Sequence, residues 1–374
     1  MGEDGPVAAA RRLGVMAAPR SAEIEANRTL PRDLVEALVD AGLMRLLVPS
    51  AFGGGELDVA TAIAVTEELG YHDGATAWCQ MIAMTTGLAA GLLPTDHAAA
   101  IYGRADAVTG GLAAPMGRAE AVDGGVRVTG QWQWGSGTRH CTMIGGGAVF
   151  PDGKVRFPFM DPADVTLLDT WRVSGLKGTG STDYTVDGAF VPEGRWVRLG
   201  GATPTSDGPL YRFSFFGLLA VGIASVALGL ARRSIDELVE LAAVKRPQGS
   251  SRPLAERSPV QADVANAEAT LRAARALVDD AIGGAWDTVL AGDRSPTEER
   301  WTVRLAATHA VTASARVVDA MYEAGGGASV YDDSALQRVF RDVHVATQHA
   351  MVAPRTMELL GRIRLGLDSD LGQL

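Results

Sequence analysis

The spacing of apolar residues changes twice along this chain, and that double change is the strongest constraint on its fold. From about Pro6 to Ile101 they recur at helical intervals, from about Asp106 to Arg198 at every second position, and from about Leu210 to Leu365 at helical intervals again. A helix presents one stripe per 3.6 residues and a strand one face per two, so a sheet must stand between two helical regions. The expected class is α+β, mainly α. It comprises an N-terminal helical domain over 1–105, a middle antiparallel, barrel-like β-domain over 106–200, and a C-terminal four-helix bundle over 201–374.

Local signals refine each zone. In "RDLVEALVDAGLMRLLVP", Leu34, Leu38 and Ala41 form one stripe that Gly42 stops, and "FGGGE" makes a glycine-rich loop after Pro49. Two apolar helices follow, broken at His72-Asp73-Gly74. The strands "GGVRVTGQWQW", "AVFPDGKVRFPFM" and "STDYTVDGAFVPE" alternate, with turns expected at Asp123-Gly124-Gly125, Pro151-Asp152-Gly153 and Asp187-Gly188. Four long helices are expected at Phe213–Val244, Val260–Leu290, Pro296–Glu323 and Ser334–Gly361. The run Phe213–Ala231 is uncharged and near bilayer length. Its small residues Gly217, Gly222, Ser225 and Gly229 point instead to a buried bundle helix that neighbours approach closely.

Charge and cysteine usage exclude some functions. With 34 Lys+Arg against 44 Asp+Glu the net charge is -10, which disfavours nucleic acid and anionic membrane as partners. Cys79 and Cys141 match no metal motif, and a reducing cytoplasm is expected. His344 and His349 are five apart rather than four, so no metal site is expected. No secretory signal is read in the first thirty residues, and no Gly-x-Gly-x-x-Gly links a strand to a helix for a nicotinamide site.

The stretch "GQWQWGSG" concentrates candidate chemistry. Strict alternation would put Val126, Val128, Trp132, Trp134 and Ser136 on one face. Two indoles there either fill the core of a small sheet or wall a planar ligand, whose polar edge the hydroxyl of Ser136 can reach between Gly135 and Gly137.

The helix, sheet, helix order and three segments along it carry a family resemblance: "VPSAFGGGELD", "GLKGTGSTDYTVDGAFVPE" after the sheet, and "LQRVFRDVHVATQH" near the C-terminus. Together they resemble the acyl-CoA dehydrogenase superfamily, which implies a flavoprotein that assembles as a homotetramer. Where many dehydrogenases carry a catalytic glutamate after the Arg-Asp pair of the last helix, this chain has Ala350. The chain resembles instead the two-component flavin-dependent monooxygenases of that superfamily, through "W-x-x-x-S-G" at Trp132–Gly137 and the histidine at His349.

That resemblance implies reduced FMN or FAD and O2 acting through a C4a-hydroperoxide to hydroxylate a small aromatic or amine-bearing molecule, with reduced flavin delivered by a separate reductase. It implies catalytic roles for His349, as a base toward the substrate, and for Ser136, near flavin N5 or the bound peroxide. It assigns cofactor contact to Ala113, Pro115, Trp132, Trp134, Ser136, Gly137 and Trp171, and to Arg246 reaching a neighbouring subunit's flavin phosphate. Where relatives carry a further histidine on the helix near Trp78, this chain offers Thr85 and Thr86. The bundle is expected to supply oligomer, flavin and substrate contacts. Two other readings stay open: an acyl-CoA dehydrogenase or desaturase using FAD with a non-standard base, and a catalytically silent flavin-fold scaffold.

Overall fold

The computed structural model describes residues 5–200, 202–372 and 374. The N-terminal helices are α1 (Pro6–Ala17), α2 (Ser21–Asn27), α3 (Arg32–Asp40), α4 (Val59–His72), α5 (Gly74–Gly87) and α6 (Thr95–Tyr102). Asp73 separates α4 from α5: its extended backbone ends the first helix, and its carboxylate caps the second by accepting from Thr76 N at 2.7 Å.

The strands are β1 (Thr109–Val122), β2 (Gly125–Gly135), β3 (Met143–Val149), β4 (Val155–Met160), β5 (Val165–Leu167), β6 (Thr182–Pro192) and β7 (Trp196–Val197). They form one sheet in the order β5-β6-β2-β1-β3-β4-β7, with every neighbouring pair antiparallel except β1 and β3. Asp187-Gly188, expected as a turn, is a bulge within β6. Both residues stand opposite Thr129, and Gly188 takes φ +68°, a conformation that costs glycine little.

The C-terminal part contains α7 (Phe215–Val244), α8 (Ser258–Leu290), α9 (Thr297–Gly325), α10 (Ala335–Ala346) and α11 (Pro354–Arg364). The helix α7 is the one long, strongly apolar helix among the described residues, and 89% of its most apolar window lies inside the protein. Small residues let α4 press against it: a Cβ on Gly229 would stand 2.4 Å from the Glu67 carbonyl oxygen. The fourth expected bundle helix is two helices, α10 and α11, because the chain turns through 347–353. Pro354 begins the second, and the residue before a proline is disfavoured in helical conformation. That break carries His349.

Candidate active site

The alternation in β2 holds as far as Trp132 and fails at Trp134. Val126, Val128 and Trp132 are buried, and Trp132 is stacked on Tyr184 with ring centroids 5.3 Å apart and planes at 12°. Its Nε1 donates to the Gly147 carbonyl at 2.9 Å. The expected flavin-facing pair is therefore not formed: Trp132 is a core residue with no surface exposed to a ligand. The register against β6 shifts between Trp132 and Gly135, and Trp134 takes φ +58°, leaving its side chain 59% exposed. One inserted residue thus rotates the second indole out of the core.

The bulge also delivers Ser136 to the buried junction of sheet and helices. Trp78 on α5 donates its indole N–H to Ser136 Oγ at 3.0 Å. The other face of the junction comes from the segment between β5 and β6. Ser136 Oγ lies 2.7 Å from Ser181 Oγ, which lies 2.6 Å from Thr179 Oγ1, which donates to the Leu176 carbonyl at 2.8 Å. Gly137, at φ +67°, donates its backbone N–H to the Thr179 carbonyl at 2.9 Å.

His349 joins this cluster from the break after α10. Its ring centroid lies 5.8 Å from that of Trp78, at an interplanar angle of 59°. Burial, aided by the positive charge of Arg304, pulls its pKa down to about 4. Its Nδ1 accepts the Met351 backbone N–H at 3.2 Å, so the neutral ring carries its proton on Nε2. Where the resemblance implies a base toward the substrate, the structure holds a buried, neutral imidazole with its proton on Nε2.

The Arg-Asp pair recognised in the sequence holds the cluster together. Arg341 makes a two-pronged ion pair with Glu25 of α2 and donates to the Ser174 carbonyl at 2.6 Å. Asp342 accepts the Leu176 N–H at 2.5 Å, and burial first, then the charges of Asp73 and Glu25, push its carboxyl up to about 7. Trp171 is half-buried and donates Nε1 to the same Leu176 carbonyl at 3.2 Å, so it braces this loop. Trp78, Thr179 and Ser181 were missed as site residues in the sequence. Only the "GTGS" glycines hinted that the last two stand on a tight loop.

Ala113 and Pro115 lie on an arch of β1: four residues, 113–116, face the single Gly147 of β3. Both line a cavity of about 430 Å³ with Lys154, Arg156 and Arg198, where cations meet an apolar floor that includes Phe216. Thr86 Oγ1 is spent on the carbonyls of Ile82 and Thr109, at 2.8 and 2.7 Å. Thr85 Oγ1, one residue earlier, is buried without a hydrogen-bond partner among the described residues. Arg246 is exposed beyond the end of α7 and bonds the Ser251 carbonyl. From Leu230, which packs at Gly74 with Leu176 and Asp342, the helix rises roughly 21 Å to its end, so Arg246 is remote from its own chain's cluster.

Two family models match in chain order: the acyl-CoA dehydrogenase N-terminal domain over residues 8–95 and the C-terminal domain over 221–354. An indole-3-acetate monooxygenase from Pseudomonas putida is 33% identical over 367 residues, covering 97% of this chain and 94% of that protein. The chain belongs to the acyl-CoA dehydrogenase superfamily. Within it, the protein is a flavin-dependent monooxygenase. The oxygenase subunit HsaA of a flavin-dependent monooxygenase from Rhodococcus jostii is 28% identical over 93% of this chain and 95% of its own length. Among solved structures, XiaF from Streptomyces sp. in complex with FADH2 and glycerol superposes with a TM-score of 0.90 at 27% identity, covering 99% of this chain and 97% of that one. The 3-HSA hydroxylase from Rhodococcus sp. RHA1 shares the fold at a TM-score of 0.91 and 24% identity, covering 100% of this monooxygenase and 99% of that chain.

The residues present suit a flavin. A bulged, exposed indole and a buried hydroxyl stand at the end of β2, and a cation-rimmed cavity opens at the arch of the neighbouring β1.

Proposed function

We propose that this monooxygenase hydroxylates a small aromatic substrate of the indole-acid type at the Trp78–Ser136–His349 cluster. The observation that carries the proposal is the convergence of Ser136 and His349 on one buried indole, joined to 33% identity with an indole-3-acetate monooxygenase along nearly the whole chain. Reduced flavin, when bound, supplies two electrons and the atom at which O2 is activated. The protein's own residues do the rest. Ser136, Trp134, Gly137, Ala113 and Pro115 would hold the isoalloxazine ring, and Trp171 braces the loop that supports Ser136. His349, with its proton on Nε2, would donate a hydrogen bond to a polar group of the substrate. Thr85 offers its unpartnered hydroxyl to a polar substrate group, where a buried donor gains most from a partner. Packed apolar surface keeps water from the reacting atoms.

Several relatives bear the names of oxygenase subunits or components, which supports delivery of reduced flavin by a separate reductase. Arg246, remote from its own cluster, is suited to a flavin phosphate in a neighbouring subunit of a homotetramer. Two free thiols fit a cytoplasmic setting. Ala350 beside His349 disfavours the desaturase reading, because no carboxylate stands where a thioester α-proton would be taken.

The test is product analysis after single turnover with chemically reduced flavin and O2, across indole-3-acetate, indole, a phenol and an acyl-CoA. Ring hydroxylation of the indole acid is expected. Bleaching of bound oxidised flavin by the acyl-CoA, with no aromatic product, would overturn the assignment.

A further inference from the structure

The proton order around Ser136 follows from its neighbours. Thr179 Oγ1 sits 2.8 Å from the Leu176 carbonyl oxygen, closer than the two N–H groups that also reach it, from Trp171 Nε1 at 3.2 Å and Thr179 at 3.1 Å; that atom only accepts, which assigns the one Thr179 hydroxyl proton to it. Ser181 Oγ, 2.6 Å from Thr179 Oγ1, must then donate to it. Ser136 Oγ, 2.7 Å from Ser181 Oγ, must donate in turn. The reverse order would press two lone pairs together at these separations. All three residues are buried, so the arrangement is not averaged by bulk water. Trp78 Nε1 occupies one lone pair of Ser136 and leaves one more. The far end of the relay is anchored as well: Leu176, at φ +48°, gives its N–H to Asp342.

We propose that Thr179 and Ser181 are positioning residues that hold the Ser136 hydroxyl as a hydrogen-bond acceptor toward the site, and that this polarity makes the protein prefer reduced to oxidised flavin. The inference rests on the proposed placement of Ser136 beside flavin N5. Oxidised flavin presents an unprotonated, accepting N5 and reduced flavin an N5–H donor. An oxygen whose proton is tied up behind it attracts the donor and repels the acceptor.

The test measures Kd for oxidised and for anaerobically reduced FAD and FMN in the wild type and four variants. Ser181→Ala frees the Ser136 proton to turn toward oxidised N5, and the ratio of oxidised to reduced Kd is expected to fall about tenfold, the effect of one exchanged hydrogen bond. Thr179→Val, which releases Ser181 in the same way, is expected to move the ratio in the same direction and keeps the test open if Ser181→Ala does not fold. Ser181→Thr keeps a hydroxyl and is expected to retain the wild-type ratio. Ser136→Ala is expected to lower the ratio too. A changed ratio in Ser136→Ala with none in Ser181→Ala or Thr179→Val would overturn the relay and leave Ser136 at the flavin. An unchanged ratio in Ser136→Ala would overturn both.

Discussion

Trp78 Nε1 donates to Ser136 Oγ at 3.0 Å, and the same indole lies 5.8 Å from the imidazole of His349, ring centroid to centroid. One side chain from the first helical region therefore joins the end of β2 to a break near the C-terminus. The residues that distinguish this chain from a dehydrogenase meet there.

Trp78→Phe separates the two contacts. The ring beside His349 remains, and the donor to Ser136 is lost, at a cost of about 1 kcal/mol in stability. Stopped-flow mixing of the reduced-flavin complex with O2 should show a shorter-lived transient absorbance than in the wild type. An unchanged lifetime would remove Trp78 from the site's supporting structure.

The two tryptophans of "GQWQWGSG" should behave oppositely. Trp132→Ala empties a buried, stacked position and should cost about 3–5 kcal/mol by denaturant unfolding. Trp134→Ala changes an exposed side chain and should cost under about 0.5 kcal/mol, yet weaken reduced-flavin binding several-fold by titration.

His349 should stay neutral through the physiological range. With its pKa at about 4, 15N NMR of the imidazole should show protonation at Nε2 alone from pH 8 down to about 5. Because the folded value lies below the unfolded value of about 6.5, the contribution of this group to stability is present above pH 6.5 and declines as pH falls toward 4. An imidazolium signal at pH 6 would contradict the assignment.

Asp342 should give the opposite slope. Its carboxyl is raised from an unfolded value of about 4 to about 7, so its contribution is full at low pH, is lost as pH rises from about 4 to about 7, and is flat above. Asp342→Asn keeps an acceptor for the Leu176 N–H without the ionisation. Urea unfolding should show its stability relative to the wild type rising over that window and then levelling. A difference independent of pH would sink the argument.

The sequence made much of this legible. Helix, sheet, helix order follows from periodicity alone, and the break at His72-Asp73-Gly74 stands where expected, with Asp73 capping α5. What it hid were register effects. An alternating pattern puts Trp132 and Trp134 on one face, and only pairing with β6 shows the inserted residue that parts them. Gly188 looks like a hairpin turn because a bulge and a turn both ask for positive φ. The role of His349 was hidden for another reason: its proton position depends on the Met351 amide, which the helix break brings round. Trp78 and Ser181 join the cluster through contacts with Ser136 made across 58 and 45 residues of chain, and Thr179 through its neighbour Ser181 and the distant Gly137, which no local pattern encodes.

The most direct measurement of the central claim is the fate of 18O2 in a single turnover. The reduced-flavin complex, prepared anaerobically with an excess of an indole acid, is mixed with 18O2, and product and peroxide are quantified in the wild type and in Ser136→Ala. The wild type should place one 18O atom in a hydroxylated product and release little peroxide, while Ser136→Ala should divert most of the oxygen to peroxide. Unlabelled product, or equal peroxide from both proteins, would contradict oxygenation at this cluster.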